Sequence, residues 1–126
     1  EIYEYIFAPY VKQLKLSFLE IEEGRVVAKL ENSKDYQFVT GAVSGQVLMS
    51  VIDTTMSIAM NTSVKSQRGT LSQNNNFIRP AFGDYFIIES IVQRFGSSIA
   101  IGETKVYAEN NKEKIICHAT STFPLK

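Results

Sequence analysis

The sequence has one cysteine, Cys117, and one histidine, His118. A lone thiol makes no internal disulfide, and one sulfur with one nitrogen falls short of the usual ligand set of a zinc site, so no metal is expected. The two residues are adjacent in a stretch that reads as a strand, where neighbours point to opposite faces, which also removes a Cys/His nucleophilic pair. His118 then reads as a surface or satisfied strand residue. Neither sign of charge is in excess: 13 basic residues face 13 acidic ones, without a long like-charge block or a stripe of aromatics interleaved with Lys and Arg. Nucleic acid is therefore not an expected partner. No apolar run reaches the roughly 18 residues of a spanning helix, because Ser50, Asp53, Thr54 and Thr55 interrupt the best candidate. No basic, then apolar, export signal opens the chain. Membrane insertion is not expected, and the chain is expected to be cytoplasmic. Neither G-x-G-x-x-G after a strand nor G-x-x-x-x-G-K-[ST] occurs, so nucleotide cradles of those kinds are absent.

What is present is enough for one domain, residues 1–126, with a substantial core. Its organising stretch is Thr40–Asn61, TGAVSGQVLMSVIDTTMSIAMN, a Gly-containing turn running into a long, mostly apolar helix. Before it, Ile2, Ile6, Phe7 and Tyr10 have helical spacing, with Pro9 predicted to bend or end a first short helix near Ala8. Leu14–Glu23 and Arg25–Glu31 alternate around a Glu23-Gly24 turn and form a hairpin, and Asn32–Val39 reads as a loop. After the helix, Thr70–Ile78, Tyr85–Phe95, Ser98–Glu109 and Glu113–Phe123 read as strands, with turns at Gly96 and at Asn110-Asn111. Ala100, Gly102, Thr104, Val106 and Ala108 share one face of their strand, and residues that small let a helix approach closely. The prediction is an α+β domain in which an antiparallel sheet folds over one long helix.

Along that helix Gln46, Ser50, Asp53, Ser57 and Asn61 follow one another at steps of three or four and share a face. Such a stripe either looks at water or lines a site. Asp53 is its one charge, set among Met49, Ile52, Met56 and Ile58, and a carboxylate in apolar surroundings calls for a partner or a task. Ser44 suits an N-cap, which places Gly45 and Gln46 in the first turn, where backbone N–H groups lack intrahelical acceptors and the helix dipole is positive. Amides so placed can hold a developing oxyanion, and Gly45 lets a carbonyl approach the backbone. The alternative is an ordinary turn glycine.

Thr40–Asp53 resembles the signature of hotdog-fold acyl-CoA thioesterases of the phenylacetyl-CoA type, N-x-x-G-x-x-H-G-G followed by a helix carrying Asp. Gly41, Gly45 and Asp53 match it in register. Phe77–Asp84, FIRPAFGD, resembles the family's strand end and turn, and Thr120–Phe123, TSTF, its closing strand. The resemblance implies a hotdog fold, with an antiparallel sheet wrapped around one long central helix, and a homodimer or dimer of dimers (a homotetramer) with sites between subunits. It implies hydrolysis of an acyl-CoA thioester to free acid and coenzyme A, the latter being part of the substrate, with no separate cofactor. Gly45 of one subunit would supply the oxyanion amide, and Asp53 of the other would attack the thioester or activate water. Thr70 falls where the family keeps Thr or Ser near the attacking water, and Gly96 and Ser97 fall where it holds coenzyme A phosphates.

The chain departs from the pattern at Ser44, where the family has His, at Gln46, where it has the second Gly, at Phe38 for Asn, and at Ser97 for Arg or Lys. Ser44 and Gln46 remain at the implied site, one beside the oxyanion amide and the other against substrate. A non-catalytic acyl-CoA or lipid-binding hotdog protein is the alternative function. A hotdog hydratase would need an Asp/His pair that the helix does not offer.

Overall fold

A computed structural model describes residues 7–63 and 67–125. Pro9 starts the first described helix, α1 (Pro9–Lys12), and the helix expected to end near Ala8 falls mostly outside the described residues. The first helical position suits proline, whose missing N–H would have had no partner there and whose φ is already helical. Ile2 and Ile6 lie outside the described residues.

Strands β1 (Leu16–Glu22) and β2 (Arg25–Glu31) form the expected hairpin. Gly24 takes φ +77° in its turn, a left-handed conformation that glycine adopts without penalty. The loop after β2 contains a 3₁₀ turn, Lys34–Tyr36, started by the Ser33 hydroxyl accepting the Asp35 N–H at 3.3 Å. Tyr36 ties this loop to two others: its hydroxyl accepts the Lys15 N–H at 2.7 Å, and its carbonyl accepts the Ser44 N–H at 2.8 Å. The second bond fixes where helix α2 (Gly45–Met60) begins.

Strands β3 (Ser72–Phe77), β4 (Tyr85–Phe95), β5 (Ile99–Ala108) and β6 (Ile115–Pro124) follow, each within about two residues of its expected ends. All pairings are antiparallel, in the order β1-β2-β4-β5-β6-β3. The helix packs on one face of this sheet, and the fold is the hotdog that the resemblance implied. Val51, Ile52, Met56, Ala59 and Met60 are fully buried between helix and strands. The opposite face carries a smaller cluster of Val27, Ile87 and Tyr107, and Arg25 bridging Glu20 and Glu89.

Helix and sheet meet most tightly at Gly102. A Cβ there would stand 2.6 Å from the Met56 sulfur and 3.2 Å from the Ile91 carbonyl oxygen. The small-residue face of β5 is thus what allows a methionine on the buried side of the helix. Gly102→Val is expected to force Met56 off its rotamer and cost about 2 kcal/mol, a drop of several degrees in Tm by calorimetry. A variant as stable as the parent would show that the helix sits further from β5.

Candidate active site

The start of α2 presents backbone amides. Ser44 Oγ accepts the Val47 N–H at 3.3 Å and the Ser44 carbonyl accepts the Leu48 N–H at 3.2 Å. This leaves the Gly45 and Gln46 N–H groups without an acceptor among the described residues. Gly45 forms part of the wall of a cleft of about 670 Å³ that also holds Phe38, Leu48, Phe77, Arg79 and Phe82. Unpaired donors beside an apolar cleft at the positive end of a helix suit a carbonyl oxygen that gains charge.

Asp53 lies two turns further on, half-buried, and the hydroxyl of Thr70 donates to its Oδ1. A carboxylate and a hydroxyl seventeen residues apart in sequence thus meet across the gap between α2 and the segment leading into β3. They share a cleft of about 460 Å³ with Gln46, Ser50, Gln73 and Asn75. A second cleft, of about 500 Å³, reaches Asp53 from the side of Ser57 and Asn61. The polar face of the helix therefore lines concave surface: Gln46 is exposed, Ser50, Asp53 and Asn61 are half-buried, and Ser57 is buried.

Sequence reasoning missed Gln73 and Asn75. The Gln73 amide donates to the Met49 carbonyl at 3.3 Å and to Asn75 Oδ1 at 3.1 Å, clamping β3 against the helix turn that precedes Asp53. Strand alternation on β3 could have placed the two residues on one face, but no local signal says which strand lies beside Asp53.

The implied residues do not all converge within one chain. Gly45 and Asp53 are separated along the helix by about 12 Å of rise, too far to serve one thioester carbonyl. Gly96 and Ser97 form the turn between β4 and β5, where the Gly96 N–H donates to the Ile99 carbonyl at 2.8 Å. Phe95, next to that turn, packs with Met56 and Met60 toward the far end of the helix from Gly45. No cluster of three metal-ligating side chains exists among the described residues. No described helix is long and apolar enough to cross a membrane.

His118 Nε2 pairs with Glu103 on the face of the sheet away from the helix, while Cys117 points into the core. Burial pushes the Cys117 thiol up to about 11, so little thiolate exists near pH 8. The folded protein is expected to leave an aromatic disulfide reagent unreacted at that pH and to react with one equivalent once unfolded in guanidinium. Rapid labelling of the native protein would contradict the buried position.

The pattern of the thioesterase superfamily matches residues 40–115, from the turn before α2 to the start of β6. The chain belongs to this superfamily. Among curated relatives, a "putative esterase" of Saccharolobus solfataricus is 28% identical over 93 residues, covering 73% of this chain and 66% of that protein. The chain thus matches just under two thirds of that relative's length. Among solved structures, the PaaI protein of the E. coli phenylacetic acid degradation operon superposes with TM-score 0.88 at 18% identity, covering 99% of this chain and 88% of the other. A "hypothetical thioesterase protein" of Streptococcus pneumoniae, solved with coenzyme A, gives TM-score 0.81 at 15% identity over 88% and 85% of the two chains. Superfamily membership thus rests on the segment holding Ser44, Gly45, Asp53 and Thr70, and the structural neighbours establish the hotdog fold.

Proposed function

We propose that the protein hydrolyses an acyl-CoA thioester to free acid and coenzyme A, without a metal or separate cofactor. The observation that carries this reading is the Asp53 carboxylate, held by the Thr70 hydroxyl and open to two clefts, on the same helix whose N-terminus offers the Gly45 amide. Two hydrolytic routes use these parts. In one, Asp53 accepts a proton from water as that water attacks the carbonyl carbon, and the proton passes to the departing thiolate. In the other, Asp53 itself attacks, the thiolate leaves, and water cleaves the resulting anhydride. In both, the oxygen that gains charge sits on the Gly45 amide, with the Ser44 hydroxyl beside it. Gln46 and Thr70 contact substrate or water at the carboxylate, and the Gly96-Ser97 turn meets the coenzyme half without a basic side chain of its own.

The separation of Gly45 from Asp53 favours a site shared between two copies. β3 and β1 are the sheet edges, and a second copy pairing along β3 would bring its Asp53 cleft toward the neighbouring Gly45. The functional unit is therefore a homodimer or a dimer of dimers acting on a small-molecule thioester. The test is turnover of short, long and aromatic acyl-CoAs, read as released thiol and accompanied by light scattering. Thiol release by a species of dimer mass or larger supports the reading. No release from any member of the panel favours the acyl-CoA-binding alternative, and full activity of a monomer excludes the shared site.

A further inference from the structure

Two glycines at the entry to α2 each carry an aromatic ring. A Cβ on Gly45 would stand 3.2 Å from the Phe77 ring, and one on Gly41, which has φ +90°, would stand 3.8 Å from the Phe82 ring. Both rings, together with Phe38, line the 670 Å³ cleft that has Gly45 in its wall. Their exposures are 50% for Phe77, 55% for Phe82 and 51% for Phe38. The Phe77 ring therefore sits close over the Gly45 backbone, while about half of each ring remains exposed. The charged group on this wall is Arg79, whose guanidinium already donates to the Ile115 carbonyl at 2.6 Å.

Resting on the thioester reading above, we propose that this cleft receives the acyl group, that the group is uncharged and bulky, and that Phe77 is the specificity-determining residue. A thioester oxygen on the Gly45 amide brings the first acyl carbons against the ring that covers Gly45. Each methylene fully buried there is worth about fourfold in affinity. A terminal carboxylate would lose its water against phenyl carbon, and the charged side chain in the lining, Arg79, is exposed and already turned to the Ile115 carbonyl. Phe77 closes the cleft nearest the reacting carbonyl, whereas Phe82 and Phe38 act further along the acyl group.

The test is calorimetric binding of the S-methyl, S-hexyl and S-carboxyethyl thioethers of coenzyme A, which do not hydrolyse, to the full chain and to Phe77→Leu and Phe77→Ala. Expected results are hexyl binding at least about tenfold tighter than methyl, carboxyethyl binding no tighter than methyl, and a hexyl-to-methyl ratio that falls severalfold in Phe77→Ala and less in Phe77→Leu. A ratio that ignores Phe77 overturns the proposal. So does preference for the carboxyethyl ligand, which would make Arg79 an anchor, or failure of all three to bind. Binding needs no turnover, so the intended ratio with an inactive acyl-CoA panel would sink hydrolysis alone, and turnover with a flat ratio would sink the acyl cleft alone.

Discussion

Asp53→Asn is expected to lower kcat on any acyl-CoA that the protein turns over by about a hundredfold or more, with the affinity for a hydrolysis-resistant thioether kept within a few-fold. The carboxamide has nearly the shape of the carboxylate, and its oxygen can still accept from the Thr70 hydroxyl, so the contact between α2 and the segment leading into β3 survives. What is lost is the ability to accept a proton from water or to attack a carbonyl, and both routes require one or the other. Thermal unfolding separates chemistry from structure. Asp53 is half-buried and sits on a polar face of the helix, so the change should move stability by no more than about 0.5 kcal/mol. A rate within threefold of the parent would remove Asp53 from the chemistry. A large loss of rate accompanied by an equally large loss of stability would reduce it to a structural residue.

The parts of this site differ in how far the amino-acid order alone could locate them. Helix α2 is legible because its apolar residues recur at helical spacing and Ser44 caps it, a cap now visible as the bond to the Val47 N–H. Gly102 was legible as one of a row of small residues on β5, and its contact with Met56 is what that row is for. The pairing of Asp53 with Thr70 was not legible from spacing. It depends on how the chain returns after the helix, and a contact over seventeen residues leaves no periodic trace; only the family resemblance pointed to Thr70. Gln73 and Asn75 were missed for the same reason, since β3 lies beside the helix only because it pairs with β6 at the end of the sheet. That Pro9 opens α1 was not legible, because proline can end one helix or occupy the first turn of the next, and choosing between these needs the start of the helix.

Ser44→His bears on the largest departure from the resembled motif. If the amides at Gly45 and Gln46 form an otherwise intact oxyanion site, an imidazole N–H beside Gly45 adds a donor to the same oxygen. A well-placed donor of this kind is worth roughly 3 kcal/mol, about a hundredfold in kcat. The substitution also has a cost, because Ser44 Oγ accepts the Val47 N–H at 3.3 Å and losing a helix cap of this type takes about 1 kcal/mol from stability. The expected signature is therefore higher kcat in a slightly less stable protein, a combination that repair of the fold could not produce. Gln46→Gly alone should do less, since it adds no donor and lowers helix propensity by about 1 kcal/mol. Ser44→Ala provides the control: it removes the cap without adding a donor, so it should match Ser44→His in lost stability but not in gained rate. Should both variants lose turnover alike, the serine hydroxyl is already at work. Its oxygen holds the Val47 N–H and its hydrogen remains to donate to the thioester carbonyl, so the chain would polarise its substrate with a capping serine where the resembled family uses a histidine.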